Sequence, residues 1–214
     1  MQSKIIAGCQ LSCVLSVHSL VSIHKIQKRG TSMRKGIWTA VILSTVIAAC
    51  GLGTKAYAAP PDDLQVGTTA PNFTLPSQED KPISLSDFKG KWVVLYFYPK
   101  DQTHGCTIEA HNFQKDLDKF HAHNAVVLGV SLDTVADHQA WCAKDTFNFK
   151  MLADPDHKVV DMYGVPVKSF GTMHFAERQT FLISPEGKIV KVWPKVDPNV
   201  ASTEVLAELD AEKK

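Results

Sequence analysis

Seven consecutive residues, Trp92, Val93, Val94, Leu95, Tyr96, Phe97 and Tyr98, carry no charged or amide side chain. No other stretch of this chain constrains the fold so strongly. The run has strand length, and its β-branched and aromatic content suits a pleated backbone. A strand with one wet face alternates apolar and polar residues, so a run without alternation predicts a strand covered on both faces. Pro99, with no N–H for a ladder, ends it. A second run, AVVLGVSL (125–132), reads the same way. Between them, Ala110, Phe113, Leu117 and Phe120 recur at helical spacing, which predicts one amphipathic helix over 107–121 with Cys106 at its first turn.

The rest of the body continues the alternation. PNFTLPSQEDKPISL (71–85) reads as two short strands around a polar turn, and SLSDFKGK as a short capped helix ending at Gly90. TVADHQAWCAKDTF (134–147) is helical and FKMLAD (149–154) a strand. PDHKVVDMYG predicts a helix from Pro155 to Gly164. RQTFLIS and KIVKVW read as a hairpin around Ser184–Gly187, and 199–212 as a C-terminal helix. The pattern predicts an α/β fold: a mixed central β-sheet flanked by helices, with an N-terminal β-hairpin.

Charge divides the chain into two parts. Residues 1–58 hold seven Lys/Arg and no Asp/Glu, which leaves 16 basic against 22 acidic residues, a net −6, in 59–214. A mildly acidic body argues against nucleic acid as the main partner. From Met33 a basic start, an apolar stretch and Ala56-Tyr57-Ala58 before Ala59 read as a secretory signal with an A-x-A cleavage site. The apolar stretch is short for a membrane anchor. Ile47-Ala48-Ala49-Cys50 also resembles a lipobox, so membrane association would come only through lipidation at Cys50. Residues 1–32 read as an extension ahead of the true start, 33–58 as the signal peptide and 59–214 as the single folded domain. The expected location is exported and periplasmic, and Cys9 and Cys13 carry no expected function.

Two cysteines remain in the body, Cys106 and Cys142. A pair of this kind in an exported domain can be a plain structural disulfide. The surroundings of Cys106 favour chemistry. A helix N-terminus, with its free N–H groups and dipole, stabilises a thiolate, which is the nucleophilic form. Thr103 can place a hydroxyl near the sulfur, and Pro99 limits competing hydrogen bonds at the pocket. P-x-x-x-T-x-x-C at a strand-to-helix junction suits a thiolate attacking a small polar molecule with two adjacent oxygens.

The stretch FYPKDQTHGCTIEAHNF (97–113) resembles the active-site segment of the peroxiredoxins, in the bacterioferritin-comigratory or Q-type group. The similarity extends over roughly residues 65–195, through APNFTLPSQEDKPISLSDFKGKWVVLYFYPKD, VVLGVSLDT, ADPDHKVVDMYGV and RQTFLISPEGKI. It implies a thioredoxin-like fold and thiol-dependent reduction of hydrogen peroxide and organic hydroperoxides, without metal, flavin or haem. By position, Cys106 would be the peroxidatic cysteine that becomes a sulfenic acid. Thr103 would hydrogen-bond the peroxide, Pro99 would shield the pocket, and Arg178 would supply donors to the thiolate and the developing charge. Glu109 would support Arg178 or a backbone group. The implied reductant is a thioredoxin-like or glutaredoxin-like protein, and the implied state a monomer or weak dimer.

The sequence departs from the group's pattern twice. Many members carry a resolving cysteine five residues after the peroxidatic one, where this chain has His111. Cys142, 36 residues on and in the next helix, is the remaining candidate, and a subset of the group resolves from that helix. The disulfide would require local unwinding of one helix, because two Cα atoms have to come within about 7 Å to be bridged. His104 stands where proline is common; it reads either as a cation that, when protonated, lowers the pKa of Cys106 or as an exposed turn residue without effect. The alternatives are an exported thioredoxin-like thiol–disulfide oxidoreductase, for which the body lacks a C-x-x-C pair, and a redox-sensitive binding or holdase protein. A metal module built on His104, His111, His121, His123 and the two cysteines fits no zinc spacing.

Overall fold

The computed structural model describes residues 64–213. The extension, the signal peptide, cleavage after Ala58, lipidation at Cys50, and Cys9 and Cys13 all lie outside the described residues. The strands are β1 (Thr74–Pro76), β2 (Pro82–Ser84), β3 (Trp92–Phe97), β4 (Ala125–Ser131), β5 (Lys150–Ala153), β6 (Val167–Phe170), β7 (Met173–Ala176), β8 (Gln179–Ile183) and β9 (Ile189–Trp193). The helices are α1 (His104–Lys115), α2 (Leu117–Ala122), α3 (Val135–Asp145), α4 (Lys158–Met162) and α5 (Ala201–Glu212), with a 3-10 turn at Leu85–Phe88.

The central sheet has the order β5-β4-β3-β8-β9. β3, β4 and β5 run parallel, while β8 and β9 are antiparallel, so the sheet is mixed as expected. The apolar run lies at its centre and is covered twice. Val93, Leu95 and Phe97 pack on one face with Leu128, Val130, Phe181, Tyr163 and the α4 residues Val159 and Val160. Val94, Tyr96 and Tyr98 pack on the other with Phe113, Phe120, Trp141, Val205 and Leu209 from the remaining helices. Each large side chain buried this way contributes about 1.5–3 kcal/mol, so two covered faces explain a run with no polar alternation. Gly129, the register partner of Tyr96, leaves room for that ring: a Cβ there would lie 2.8 Å from the Tyr96 hydroxyl.

The N-terminal hairpin β1–β2 and the C-terminal hairpin β8–β9 follow the sequence reading. Three elements differ from it. The helix expected over 107–121 breaks at Asp116, whose backbone sits at φ −96 and ψ 7. The Asp116 carboxylate accepts from Ser202 Oγ at 2.7 Å and Lys119 Nζ at 2.8 Å, tying the break to α5. Phe113, Leu117 and Phe120 stay in one core across the break, which is why the spacing looked continuous. α4 begins at Lys158 and not at Pro155, because the Asp154 carboxylate accepts from the N–H groups of Lys158, Val159 and Val160 at 3.0, 2.8 and 2.9 Å. The third difference is the β6–β7 hairpin, which the sequence did not announce. Its strands are largely exposed, so they show no apolar run, and Gly171 at φ 61 opens its two-residue turn.

Candidate active site

Cys106 is the third residue of α1, buried at the C-terminal end of β3. Thr103 is the N-cap residue, and its carbonyl accepts from Thr107 N–H at 2.9 Å. Its hydroxyl does not cap the helix; it donates to Lys100 C=O at 2.9 Å. With its hydrogen engaged there, the hydroxyl offers its lone pairs outward. Pro99 is half-buried at the start of the loop, and His104 is exposed as the first residue of α1, not a turn residue.

Arg178 comes from far along the chain. It precedes β8, where Gln179 pairs with Phe97, and so stands opposite the end of β3. Thr180 and Leu182 share its side of the strand, and Leu182 packs in the core that contains Cys106. Arg178 Nη2 donates to Cys106 Sγ at 3.3 Å, while Nη1 pairs with Glu109 Oε2. Glu109 lies one turn beyond Cys106 on the buried face of α1, and its other oxygen has no hydrogen-bond partner. Burial pushes the Glu109 carboxyl up to about 7, although Arg178 pulls it down. Burial opposes the charge on Arg178, but Glu109 and Cys106 more than offset that and raise its pKa. Thus the guanidinium is a fixed cation with one fork on the sulfur and one on a buried carboxyl.

The loop from Pro99 to Thr103 is held from behind. Tyr98 donates to Asp101 Oδ1 at 2.8 Å, and Asp101 Oδ2 lies 2.7 Å from His138 Nδ1 on α3. Asp101 N–H donates to Asp133 Oδ2 at 2.8 Å, and Lys100 Nζ reaches Asp133 Oδ1 at 2.7 Å. Gly105 lets Arg178 through, since a Cβ there would lie 3.3 Å from its Nη2. Sequence reasoning missed Gly105, Asp101, Asp133 and His138. Asp101 and Gly105 fill variable positions inside the Pro99–Cys106 motif and could have been read from it; His138 carried no local signal.

The structure thus brings Cys106, Arg178 and Glu109 together, with Thr103 and Pro99 on the same loop and helix start. It does not bring in Cys142. Both cysteines are free thiols, and Cys142 Sγ on α3 faces Met151 Sδ at 3.8 Å. Burial, and then the negative charges of Asp101 and Glu79, push the Cys142 thiol up to about 11. His111 packs edge-on against Phe147, with ring centroids 5.3 Å apart. Among the described residues no three His, Cys, Asp or Glu side chains gather as metal ligands, and no helix is long and apolar enough to cross a membrane.

A buried thiol under a fixed guanidinium, at a strand-to-helix junction of a mixed α/β sheet, is the arrangement of a thiol-based enzyme. Residues 66–192 match the model of the AhpC/TSA family. A Coxiella burnetii protein named as a peroxiredoxin bcp is 46% identical over 149 residues, covering 68% of this chain and 99% of that one. A mutant of Xylella fastidiosa PrxQ superposes with a TM-score of 0.67 at 36% identity, covering 71% of this chain and 99% of that one. Two cysteine-to-serine mutants of Xanthomonas campestris peroxiredoxin Q superpose at 0.62 and 0.61, both 36% identical, covering 66% and 65% of this chain and 92% and 91% of theirs. The chain belongs to the AhpC/TSA family. It is a thioredoxin-fold peroxiredoxin of the Bcp/Q group, a thiol peroxidase that acts on peroxides.

Proposed function

We propose that this chain reduces hydrogen peroxide and organic hydroperoxides at Cys106 and resolves the product with Cys142. The observation that carries the reading is the Arg178 fork, with one donor on Cys106 Sγ and the other on buried Glu109. The thiolate attacks one peroxide oxygen; the S–O bond forms, the O–O bond breaks, and the departing oxygen leaves as water or alcohol after taking a proton. Arg178 donates to the sulfur and to the charge that develops on the departing oxygen. Thr103 accepts from the peroxide O–H, because its own hydrogen is already given to Lys100. Pro99 presents no N–H that would compete for that oxygen. Glu109 is a positioning residue that acts through Arg178.

The second step joins Cys142 to the sulfenic acid at Cys106: the S–S bond forms, the S–O bond breaks, and hydroxide leaves as water with the proton from the Cys142 thiol. The Xanthomonas campestris mutants support this pairing, since their two substituted positions are 36 residues apart, the separation of Cys106 and Cys142. A thioredoxin-like or glutaredoxin-like dithiol then reduces the disulfide. We place the protein outside the cytoplasm, periplasmic, on the signal-like segment 33–58, and as a monomer or weak dimer. N-terminal sequencing of the native protein should begin at Ala59; a start at Met1 refutes export by that segment.

The test of the chemistry is stopped-flow Trp fluorescence of the reduced protein with one equivalent of hydrogen peroxide, followed by intact mass. A fast phase ending in an intramolecular disulfide is expected. It should be absent in Cys106→Ser and replaced by sulfenic acid in Cys142→Ser. A protein inert to peroxide that exchanges disulfides, or that only suppresses client aggregation, would establish the oxidoreductase or holdase reading instead.

A further inference from the structure

Cys106 and Cys142 face different partners, Arg178 and Met151. A disulfide needs its sulfurs about 2.05 Å apart, so one of the two helices has to leave its place. α1 buries Cys106, Glu109, Ala110 and Phe113, whereas α3 buries only His138 and Trp141. α3 also ends on Thr146, a β-branched residue at φ 54, a left-handed conformation that such residues adopt only under constraint. α3 is therefore the more weakly held of the two helices.

Its two anchors differ in kind. Trp141 is an aromatic anchor against Tyr98 and Phe147. His138 is a polar group buried completely, with Nδ1 on Asp101 Oδ2 at 2.7 Å and Nε2 without a hydrogen-bond partner. It stands one helical turn before Cys142 and so on the same face of α3. Asp101 lies in the loop between β3 and α1, between Pro99 and Thr103. One buried hydrogen bond thus joins the helix of one cysteine to the loop that leads into the other.

We propose that Asp101 and His138 are positioning residues of the resolving step: their buried pair latches α3 to the loop ahead of Cys106, and its release sets how fast Cys142 reaches the oxidised sulfur. This rests on the assignment of Cys142 as the resolving thiol. In the latched state the Cys142 thiol is pushed up to about 11, by burial and then by Asp101. Opening α3 takes the sulfur away from both, so one movement delivers the thiol and activates it. The buried Nε2 of His138 has no hydrogen-bond partner in the closed state and becomes open to solvent on release, which keeps the closed state from being over-stabilised. A second peroxide attacking the waiting sulfenic acid would give sulfinic acid. The latch therefore sets the competition between resolution and over-oxidation.

The experiment is rapid-quench intact-mass analysis of the whole protein with hydrogen peroxide, which separates sulfenic acid, disulfide and sulfinic acid. Removing one hydrogen bond to a charged group corresponds to roughly tenfold or more in the opening equilibrium. In His138→Leu, disulfide formation should be about tenfold faster and half-conversion to sulfinic acid should need about tenfold more peroxide, with oxidation of Cys106 no faster. His138→Asn, which keeps an N–H toward Asp101, should return both values toward wild type. Resolution in His138→Leu equal to or slower than wild type overturns the latch. If that variant does not fold, Asp101→Asn keeps an acceptor for Tyr98 and removes the charge, and the same acceleration or its absence decides. A wild-type protein that forms no Cys106–Cys142 disulfide overturns the resolving assignment, and the latch with it. A disulfide that forms at the same rate with or without the latch overturns the latch alone.

Discussion

Glu109→Gln keeps the shape of a buried side chain and removes its charge, and stability and activity should then move in opposite directions. Glu109 is fully buried, has one unpartnered oxygen, and titrates near 7 where an ordinary glutamate titrates near 4.5. Across that window the folded chain holds a proton that the unfolded chain has released, so stability falls as pH rises from 4.5 through 7. At ~1.36 kcal/mol per pH unit, the rise from 4.5 to about 7 corresponds to about 3 kcal/mol. Glutamine does not ionise and escapes that loss. Urea unfolding should find the variant close to wild type near pH 4.5 and more stable by up to ~3 kcal/mol at pH 8. The competing argument holds that removing one partner strands a buried Arg178 at ~3–5 kcal/mol. That argument predicts destabilisation that is greatest above pH 7, so a less stable variant at pH 8 refutes the burial reasoning. In the same samples, the stopped-flow rate with peroxide should fall about 10- to 100-fold, the worth of one charge-assisted hydrogen bond of ~1.5–3 kcal/mol. An unchanged rate would show that Glu109 does not orient Arg178.

Arg178→Lys keeps the charge but loses the fork that spans Cys106 and Glu109, so the peroxide rate should drop by about 100-fold or more; a lysine that restores near-wild-type rates would reduce Arg178 to a point charge. In Cys106→Ser, Cys142 should alkylate at pH 8 about 100-fold more slowly than a peptide cysteine, because burial and Asp101 raise it to about 11. Its labelling rate should climb as pH rises toward that value, and full speed at pH 8 in the folded protein would refute the assignment. Gly129→Ala drives a Cβ to 2.8 Å from the Tyr96 ring and should cost about 1–3 kcal/mol in urea unfolding. Gly105→Ala sets a Cβ 3.3 Å from Arg178 Nη2; it should slow peroxide reduction more than it lowers the denaturation midpoint, and the reverse order would place its effect in folding.

The parts legible in the sequence were those whose signal is local. The 92–98 run announced a strand covered on both faces, and the P-x-x-x-T-x-x-C spacing placed Cys106 at a helix start, because both depend on neighbours in the chain. Arg178 and Glu109 came through the family resemblance, and the contact between them spans 69 residues. The break at Asp116 was hidden because the apolar spacing runs through it, while Ser202, which donates to the Asp116 carboxylate, lies 86 residues away. The β6–β7 hairpin was silent because exposed strands impose no apolar period. His138 looked like any polar residue of a surface helix, since its burial is decided by Asp101, 37 residues earlier.

Register connects the legible part to the hidden part. β8 pairs antiparallel with β3 so that Gln179 meets Phe97 and Ile183 meets Val93. With this pairing Phe181 and Ile183 enter one core, Leu182 enters the other, and the parity carries Arg178 to the side of Cys106. A slip of one residue would turn every β8 side chain to the opposite face. It would drive Thr180 into the core formed with Leu95 and Phe97, and would aim Arg178 away from the thiol. The continuous apolar run Phe181, Leu182 and Ile183 in a sheet covered on both faces therefore does two jobs. It stabilises the fold, and it positions a guanidinium 72 residues downstream of Cys106 within 3.3 Å of its sulfur. The polar residues of the site need no strong local preference of their own, because the hydrophobic register has already chosen where they stand.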